Sequence, residues 1–293
     1  MKLSLMLVLV VIVCIQVGHS NGAENSAYVE TLETGSIDWA AGVFHSSGVG
    51  PPPEKKGESD EVERRKSLNA SKTQALKNMV ALVMATRVDA QSSVRDVASR
   101  NDMVMAKVET IINGSKVYKQ EYLSDGTVEI SLQMSIFGGF AQLILPEEIK
   151  QVEAIKTVPG PGRKGDVPGS EPVSPPVIVT SGFTGLVVDA GGTQALPALV
   201  PVIVDEKGKE VYGPAFVSRE FAVQQGLGRY MTDTESALKS PAVGRKPLLV
   251  KGLRTEATDR SRIVISNADA SRLLSMSENL SFLKKCRVVI VID

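Results

Sequence analysis

The chain offers few side chains that could carry covalent chemistry. It has two histidines and two cysteines, and one of each falls within residues 1–20. A Ser-His-Asp or Cys-His device would therefore have to use His45. His45 lies at the end of a predicted strand beside Ser46, a position typical of a surface histidine. One histidine and Cys286 cannot form a zinc site, which needs three or four ligands. We expect no catalytic residues, no metal ligands and no enzymatic activity.

Two glycine-rich segments have the spacing of phosphate-binding loops without their chemistry. Residues 160–165 have the two glycines, but Asp166 stands where a lysine is required, and their prolines lack the N–H groups that cradle phosphate. Residues 189–192 follow a predicted strand, but Pro197 and Pro201 prevent a following helix. We interpret the first segment as a linker and the second as a tight turn, and we expect no cofactor.

Adjacent carboxylates are the remaining catalytic option. Asp205 and Glu206 fall in a predicted hairpin turn, and Glu147 and Glu148 fall at a predicted helix start. Both locations account for the acids without catalysis, but the spatial separation that defines an acid/base pair cannot be measured from sequence. A carboxylate-dependent hydrolase therefore stays as an alternative function.

Composition and charge narrow the class of protein. Thirty-three Lys and Arg residues balance thirty-three Asp and Glu, and 43% of the 293 residues are hydrophobic. This balance is typical of one or two globular domains. It argues against a nucleic-acid partner, which would require a basic face.

The first twenty residues predict export. Lys2 precedes an apolar run over residues 3–13, and Gly18 and Ser20 occupy the small-residue positions before a cut at Asn21. This pattern is typical of a signal peptide and too short for a stable spanning helix, although an uncleaved anchor is the alternative. We expect the protein in the periplasm or associated with the outer membrane.

Cys14 raises the question of lipidation. The preceding Val13 is branched, whereas the residue before a lipidated cysteine is normally small, so cleavage after Ser20 is the favoured interpretation. The mature chain then keeps Cys286 alone and has no internal disulfide. Cys286 lies in an apolar tract, which favours a buried small hydrophobic residue.

A segment rich in proline and glycine divides the mature chain. Residues 157–176 contain six Pro and four Gly and no aromatic residue. Such a stretch favours extended conformations and is the expected linker that lets the second domain reorient. The predicted organisation is a signal peptide (1–20), a first domain (21–156), this linker and a second domain (177–293).

The predicted fold class is α+β in both domains. Hydrophobic periodicity predicts helices packed on a small antiparallel sheet in the first domain and a strand-rich α+β second domain. Residues 287–292 predict a central strand buried on both faces. The first-domain prediction comprises a strand at 36–46, a long helix through 68–83, a short strand at 86–90, a helix at 93–112, a hairpin at 116–123 and 127–137, and a helix at 146–154. The second-domain prediction comprises strands at 177–180, 185–188, 200–204, 210–212, 247–253, 262–266 and 287–292, and helices at 231–240 and 267–276.

Residues 36–140 resemble a domain shared by the twenty-kilodalton envelope lipoproteins of Gram-negative bacteria and the N-terminal part of flagellar assembly protein T. The resemblance lies in the segment from Trp39 to Gly42, the alanine-rich helix ending at Ala85, and the hairpin turn at Asp125 and Gly126. It implies an envelope protein, often oligomeric and sometimes part of flagellar or surface assemblies, without enzymatic activity.

The second half resembles a module that follows such domains in uncharacterised secreted bacterial proteins. The segments that carry this resemblance are 184–190, 196–201, 205–208, 211–213 and 280–286. It implies secretion and no particular ligand.

From these observations we expect an envelope structural or interaction protein that binds itself or another envelope protein, with peripheral membrane association as a further option. No small-molecule substrate is identified. Trp39 and His45 are the candidate interaction surface, because a lone aromatic beside a Gly-Pro loop is a common anchor. The alternative for Trp39 is a core position. A periplasmic ligand-binding module is the second candidate function.

Overall fold

Two β-sheets, each covered by helices, organise the computed structural model, which describes residues 26–52, 60–149, 182–275 and 277–293. The α+β class and the arrangement in two domains are confirmed. The predicted signal peptide, Cys14, the predicted linker and the predicted strand at 177–180 lie outside the described residues.

The first sheet is antiparallel and has the strand order β1-β2-β3-β5-β4. Its central strands pair in register, with His45 opposite Ser36 on one side and Gln133 on the other. The predicted hairpin is confirmed as its last two strands. The five strands are β1 (Val29–Leu32), β2 (Gly35–Asp38), β3 (Val43–Gly50), β4 (Lys116–Tyr122) and β5 (Val128–Ser135).

The predicted single strand at 36–46 is wrong, because a turn divides it into β2 and β3. Asp38 Oδ1 accepts hydrogen bonds from Ala40 N at 3.0 Å and Ala41 N at 2.7 Å. Gly42 then adopts φ +72°, which favours glycine. Trp39 consequently lies in a turn and not on a strand.

One long helix, α1 (Asp60–Ala85), covers β3 and β5 and confirms the predicted apolar periodicity. Its contact with β3 is close because both elements present small residues. A Cβ at Gly48 would lie 2.3 Å from Ser71 O, and one at Gly50 would lie 1.9 Å from Ser67 O. Neighbouring Ser46 donates its hydroxyl to Ala75 O at 2.9 Å. The two glycines therefore set how near the helix lies to the sheet.

The predicted helix at 93–112 is divided in two, α2 (Val94–Ala98) and α3 (Asp102–Asn113). Asn101 causes the break because its side chain accepts a hydrogen bond from Met103 N at 2.9 Å and starts a new helix.

The predicted strand at 86–90 is reduced to one bridge, Arg87 with Ser93. Of the predicted helix at 146–154, residues 146–149 form a turn and the rest lies outside the described residues, whereas α4 (Gly139–Ile144) was not predicted.

The second sheet has seven strands in the order β8-β7-β11-β10-β6-β12-β9. It is mixed, since β10, β6, β12 and β9 run parallel and the β10/β11 and β7/β8 pairs are antiparallel. Its strands are β6 (Gly185–Asp189), β7 (Val202–Val204), β8 (Glu210–Tyr212), β9 (Arg229–Met231), β10 (Pro247–Glu256), β11 (Asp259–Ile265) and β12 (Val288–Val291). Its helices are α5 (Arg219–Gln225), α6 (Thr234–Lys239), α7 (Asn267–Leu274) and α8 (Ser277–Lys284).

The last strand confirms the expectation of burial on both faces. All four residues of β12 are buried, and the strand lies between β6 and β9. The predicted helix at 231–240 begins later, because Met231 belongs to β9 and the Asp233 side chain accepts from Ser236 N at 2.7 Å to cap α6. Strand β9 and helices α5 and α8 were not predicted.

One hydrophobic cluster runs through both halves of the chain. Backbone hydrogen bonds join them, including Tyr28 N to Tyr230 O at 3.2 Å and Val200 N to Val88 O at 2.8 Å. A further bond joins Gly138 N to Val223 O at 2.8 Å. The expectation that the second domain reorients stays a prediction, and the shared core opposes it, because reorientation would expose that core to water.

Candidate interaction surface

Trp39 is a contact between the two halves and is not an exposed anchor. Its side chain is 4% exposed, and its ring lies edge-on to Tyr230 with centroids 5.6 Å apart. The indole N–H donates to Glu30 Oε2 at 3.0 Å. The hypothesis of a partner-binding Trp39 is therefore wrong, because its surface is already occupied, and the alternative core position is confirmed.

A series of hydrogen-bonded polar groups extends from Trp39 across the junction, which is the contact between the two halves. Glu30 Oε1 accepts from Arg87 Nη2 at 2.9 Å, and Arg87 Nε donates to Pro197 O at 3.0 Å. The Tyr230 hydroxyl donates to Ala198 O and accepts from Ala198 N, both at 3.0 Å. Burial raises the pKa of Tyr230, so it stays neutral. These bonds satisfy the polar groups that the junction buries.

A cavity of about 700 Å³ lies beside the junction. Its described lining includes Arg229 and Lys239 and no carboxylate. Arg229 already has partners within the protein. Its Nη1 donates to Ala40 O at 2.6 Å, and its guanidinium lies 5.3 Å from the centre of the Phe137 ring. Burial lowers the pKa of Arg229, and Asp38 opposes this effect. Lys239 forms an exposed ion pair with Glu235 outside this lining.

His45 lies on the outer face of the first sheet, which α1 does not cover. Its ring meets Tyr118 edge-on with centroids 5.1 Å apart. Within the described residues, nothing forms a hydrogen bond with its buried Nδ1. Burial lowers the pKa of His45, and Asp38 raises it by a smaller amount. The structure does not bring His45 and Trp39 into one surface, since Trp39 is buried at the junction.

Strand β4 forms an exposed apolar edge that sequence reasoning did not single out. All seven of its residues are exposed. Four large apolar side chains on the strand and at its end are about half exposed: Val117 (46%), Tyr118 (51%), Tyr122 (56%) and Leu123 (52%). Helix α1 leaves them uncovered because it contacts β3 and β5. The signal in the sequence is that residues 116–122 lack the apolar alternation of β5.

The backbone of β4 is also open on its outer side. Leu123 N donates to Thr127 O at 2.9 Å, toward the following strand. Since hydrogen bonding alternates along an antiparallel pair, Glu121 and Lys119 also bond toward β5, and Gln120 and Tyr122 point their N–H and C=O groups outward. No strand of the described residues pairs with that edge.

The carboxyl end of the parallel strands, where open α/β sheets usually bind ligands, is occupied by internal bonds. Asp189 pairs with Lys251 at 2.9 Å and accepts from Gly191 N at 3.2 Å. Gly192 N donates to Asp293 Oδ2 at 2.5 Å. The prediction of a tight turn at residues 189–192 is confirmed. In the described part of the chain, no group of three or more His, Cys, Asp and Glu residues could hold a metal ion.

Asp205 and Glu206, the carboxylate pair of the second half, have structural partners. Asp205 Oδ1 accepts from Lys207 N and Lys209 N, both at 2.9 Å, which confirms the predicted hairpin turn. Glu206 accepts from Asn267 N at 3.0 Å. Cys286 is buried, as predicted, and burial raises the pKa of its thiol to about 12. A thiol with that pKa is a poor nucleophile at neutral pH.

A comparison with protein families finds a match in the second half of the chain. Residues 185–293 match the family described as the second domain of Treponema pallidum Tp0624. The match begins at the first residue of β6 and spans the complete second sheet. Its description states no activity or ligand. No curated protein matches the chain. The resemblance of residues 36–140 to envelope lipoproteins gains no support from these comparisons and stays a prediction.

Among the described residues, no helix is both long enough and apolar enough to cross a membrane.

Proposed function

We propose that this protein is a non-enzymatic interaction protein of the bacterial cell envelope, exported to the periplasm or the outer membrane, and that β4 is its binding edge. The observation that carries the proposal is the combination of an open strand edge with four half-exposed apolar side chains. The signal-like residues 1–20 and the resemblance of residues 36–140 to envelope lipoproteins support the location.

An exposed edge of this kind favours binding to another protein. Unpaired backbone groups form a template for a further strand. Here aromatic and aliphatic side chains lie beside the open groups, and pairing would remove both from water. A surface or flagellar assembly role is one form that this function takes in the families that residues 36–140 resemble.

Photo-crosslinking in the native host tests this function. A photoreactive amino acid at Tyr122 should yield crosslinked products in the envelope fraction. The same amino acid at Lys207, in an exposed turn of the second half, is the matched control. Products only at Tyr122 support the proposal. Retention of the full-length chain in the cytosol, or equal products at both positions, overturns it.

The cavity beside the junction favours a second candidate, a periplasmic module that binds an envelope component. Its volume of about 700 Å³ is in the range of small-molecule sites. Native mass spectrometry after incubation with envelope extracts tests this candidate, with Ser240→Trp to fill the cavity. An adduct that the substitution abolishes supports ligand binding, and no adduct contradicts it.

A further inference from the structure

Strand β4 is complementary to itself when it is read in opposite directions from Gln120. Lys119 and Glu121 lie on either side of this residue, and Tyr118 and Tyr122 come next. The aliphatic residues Val117 and Leu123 end the two sides. We propose that a second copy of this chain pairs antiparallel with β4 across a two-fold axis at Gln120. This inference rests on the proposed function and names the partner of that same edge.

The direction of the backbone groups restricts where such an axis can lie. Gln120 points its N–H and C=O groups away from β5, so two copies of Gln120 can exchange two hydrogen bonds. An axis at Lys119 would place this lysine against its own copy, and an axis at Glu121 would do the same with two carboxylates. Like charges directly opposite destabilise a sheet. The axis at Gln120 instead places Lys119 of each copy opposite Glu121 of the other.

The charge on the outer face favours the same register. Within one copy, Glu121 lies directly opposite Glu129 of β5, an unfavourable pair that Lys119 offsets from its own strand at 2.9 Å. In the proposed pair, Lys119 of the second copy approaches Glu121 from the open side. Each Glu121 then has a lysine opposite it.

The apolar side chains also meet in this arrangement. The register shift between Val117 and Lys119 places Val117 opposite buried Leu132 and turns Tyr118 to the outer face beside His45. Tyr122 lies on the same inner face as Val117, since it is opposite Val128. Pairing at Gln120 therefore brings Tyr122 of one copy beside Val117 of the other on the inner face, and Leu123 beside Tyr118 on the outer face. All four half-exposed side chains gain apolar neighbours.

Charge reversal provides the test in solution. We expect the mature chain, residues 21–293, to form a concentration-dependent dimer in analytical ultracentrifugation. Glu121→Lys should weaken dimerisation about tenfold or more, because both Lys-Glu contacts become Lys-Lys contacts. The double variant Lys119→Glu with Glu121→Lys should restore the dimer. Glu109→Lys, an exposed charge reversal on α3, is the matched control. A monomeric wild type, or a dimer whose dissociation constant these substitutions leave unchanged, overturns the proposal.

Two further variants keep the result independent of folding defects. Gln120→Pro removes an outward N–H, which edge strands tolerate, and should stay folded by circular dichroism and be monomeric in analytical ultracentrifugation. Gln120→Cys should form a disulfide-linked dimer, because hydrogen-bonded partners lie about 5.5 Å apart between Cα atoms, within disulfide range. Lys207→Cys is its control. If Tyr122 crosslinks in cells to a different protein, the proposed function stands and the self-pairing falls. If it crosslinks to nothing, the function itself falls.

Discussion

At the scale of single residues, the environment of each candidate group decides its role. Trp39 and His45 lie close in sequence, but Trp39 is buried against Tyr230 whereas His45 shares the outer face with Tyr118. The hydrogen bond from the indole to Glu30 ties Trp39 to the Arg87 chain. As the only tryptophan, it makes fluorescence a direct report on the junction between the two halves. A sequence cannot show this, because Tyr230 and Trp39 meet only in the folded chain.

The burial of His45 predicts that the free energy of unfolding decreases in acid. Burial lowers its pKa in the folded state, whereas in the unfolded chain it binds a proton near pH 6.5. The unfolded state therefore binds more protons as the pH falls through 6.5 toward the folded-state pKa, and the free energy of unfolding decreases over that range. His45→Gln should lose less stability than the wild type between about pH 7.5 and about pH 5.5 in urea unfolding.

Ser47→Ala, a neighbouring substitution on β3 that keeps the histidine, should retain the wild-type pH dependence. A direct NMR titration of the His45 ring should give a midpoint below the ordinary histidine value. A midpoint at or above that value would contradict the role assigned to burial.

At the scale of elements, local patterns predicted the long regular ones and missed the short ones that tertiary contacts define. Helix α1 and the β4/β5 hairpin followed from apolar spacing and the Asp125-Gly126 turn. Strand β9 has three residues and exists because it pairs with β12 on one side and meets Ala27 on the other. The strand at the candidate site was predictable, and its lack of apolar alternation signalled exposure, but the crossing of α1 over β3 and β5, which leaves it uncovered, could not be predicted.

The close contact between α1 and β3 gives a prediction at this scale. Gly48→Ala should destabilise the fold by about 1–3 kcal/mol, because the added methyl group would overlap the backbone of α1 at Ser71 and Ala75. Gly139→Ala is the matched control, since its Cβ would have only an ordinary contact at 3.7 Å with Ile111. Urea unfolding followed by circular dichroism measures both. Equal stability of the two variants would contradict the close approach.

At the scale of the whole molecule, the Tyr28–Tyr230 contact of the junction and the proposed binding edge lie at opposite edges of the first sheet. Strand β1 follows the segment that bonds to β9, and β4 is the other edge of the five strands. A partner at β4 therefore need not disturb the shared core. The second half matches a domain family by itself, yet in this chain it contributes Tyr230 and Val200 to contacts with the first.

This shared core predicts that the two halves associate without a covalent connection. Residues 21–156 and 177–293, produced together as separate chains, should elute as one complex, because separation would expose Trp39, Tyr230 and the cluster around them to water. Arg87→Ala should weaken this complex by removing the bond to Pro197 that joins the two halves, while Lys207→Ala should not. Size-exclusion chromatography with light scattering, followed by tryptophan fluorescence of the complex, measures the association. Separate elution of the unsubstituted halves would show that the junction needs the connecting chain.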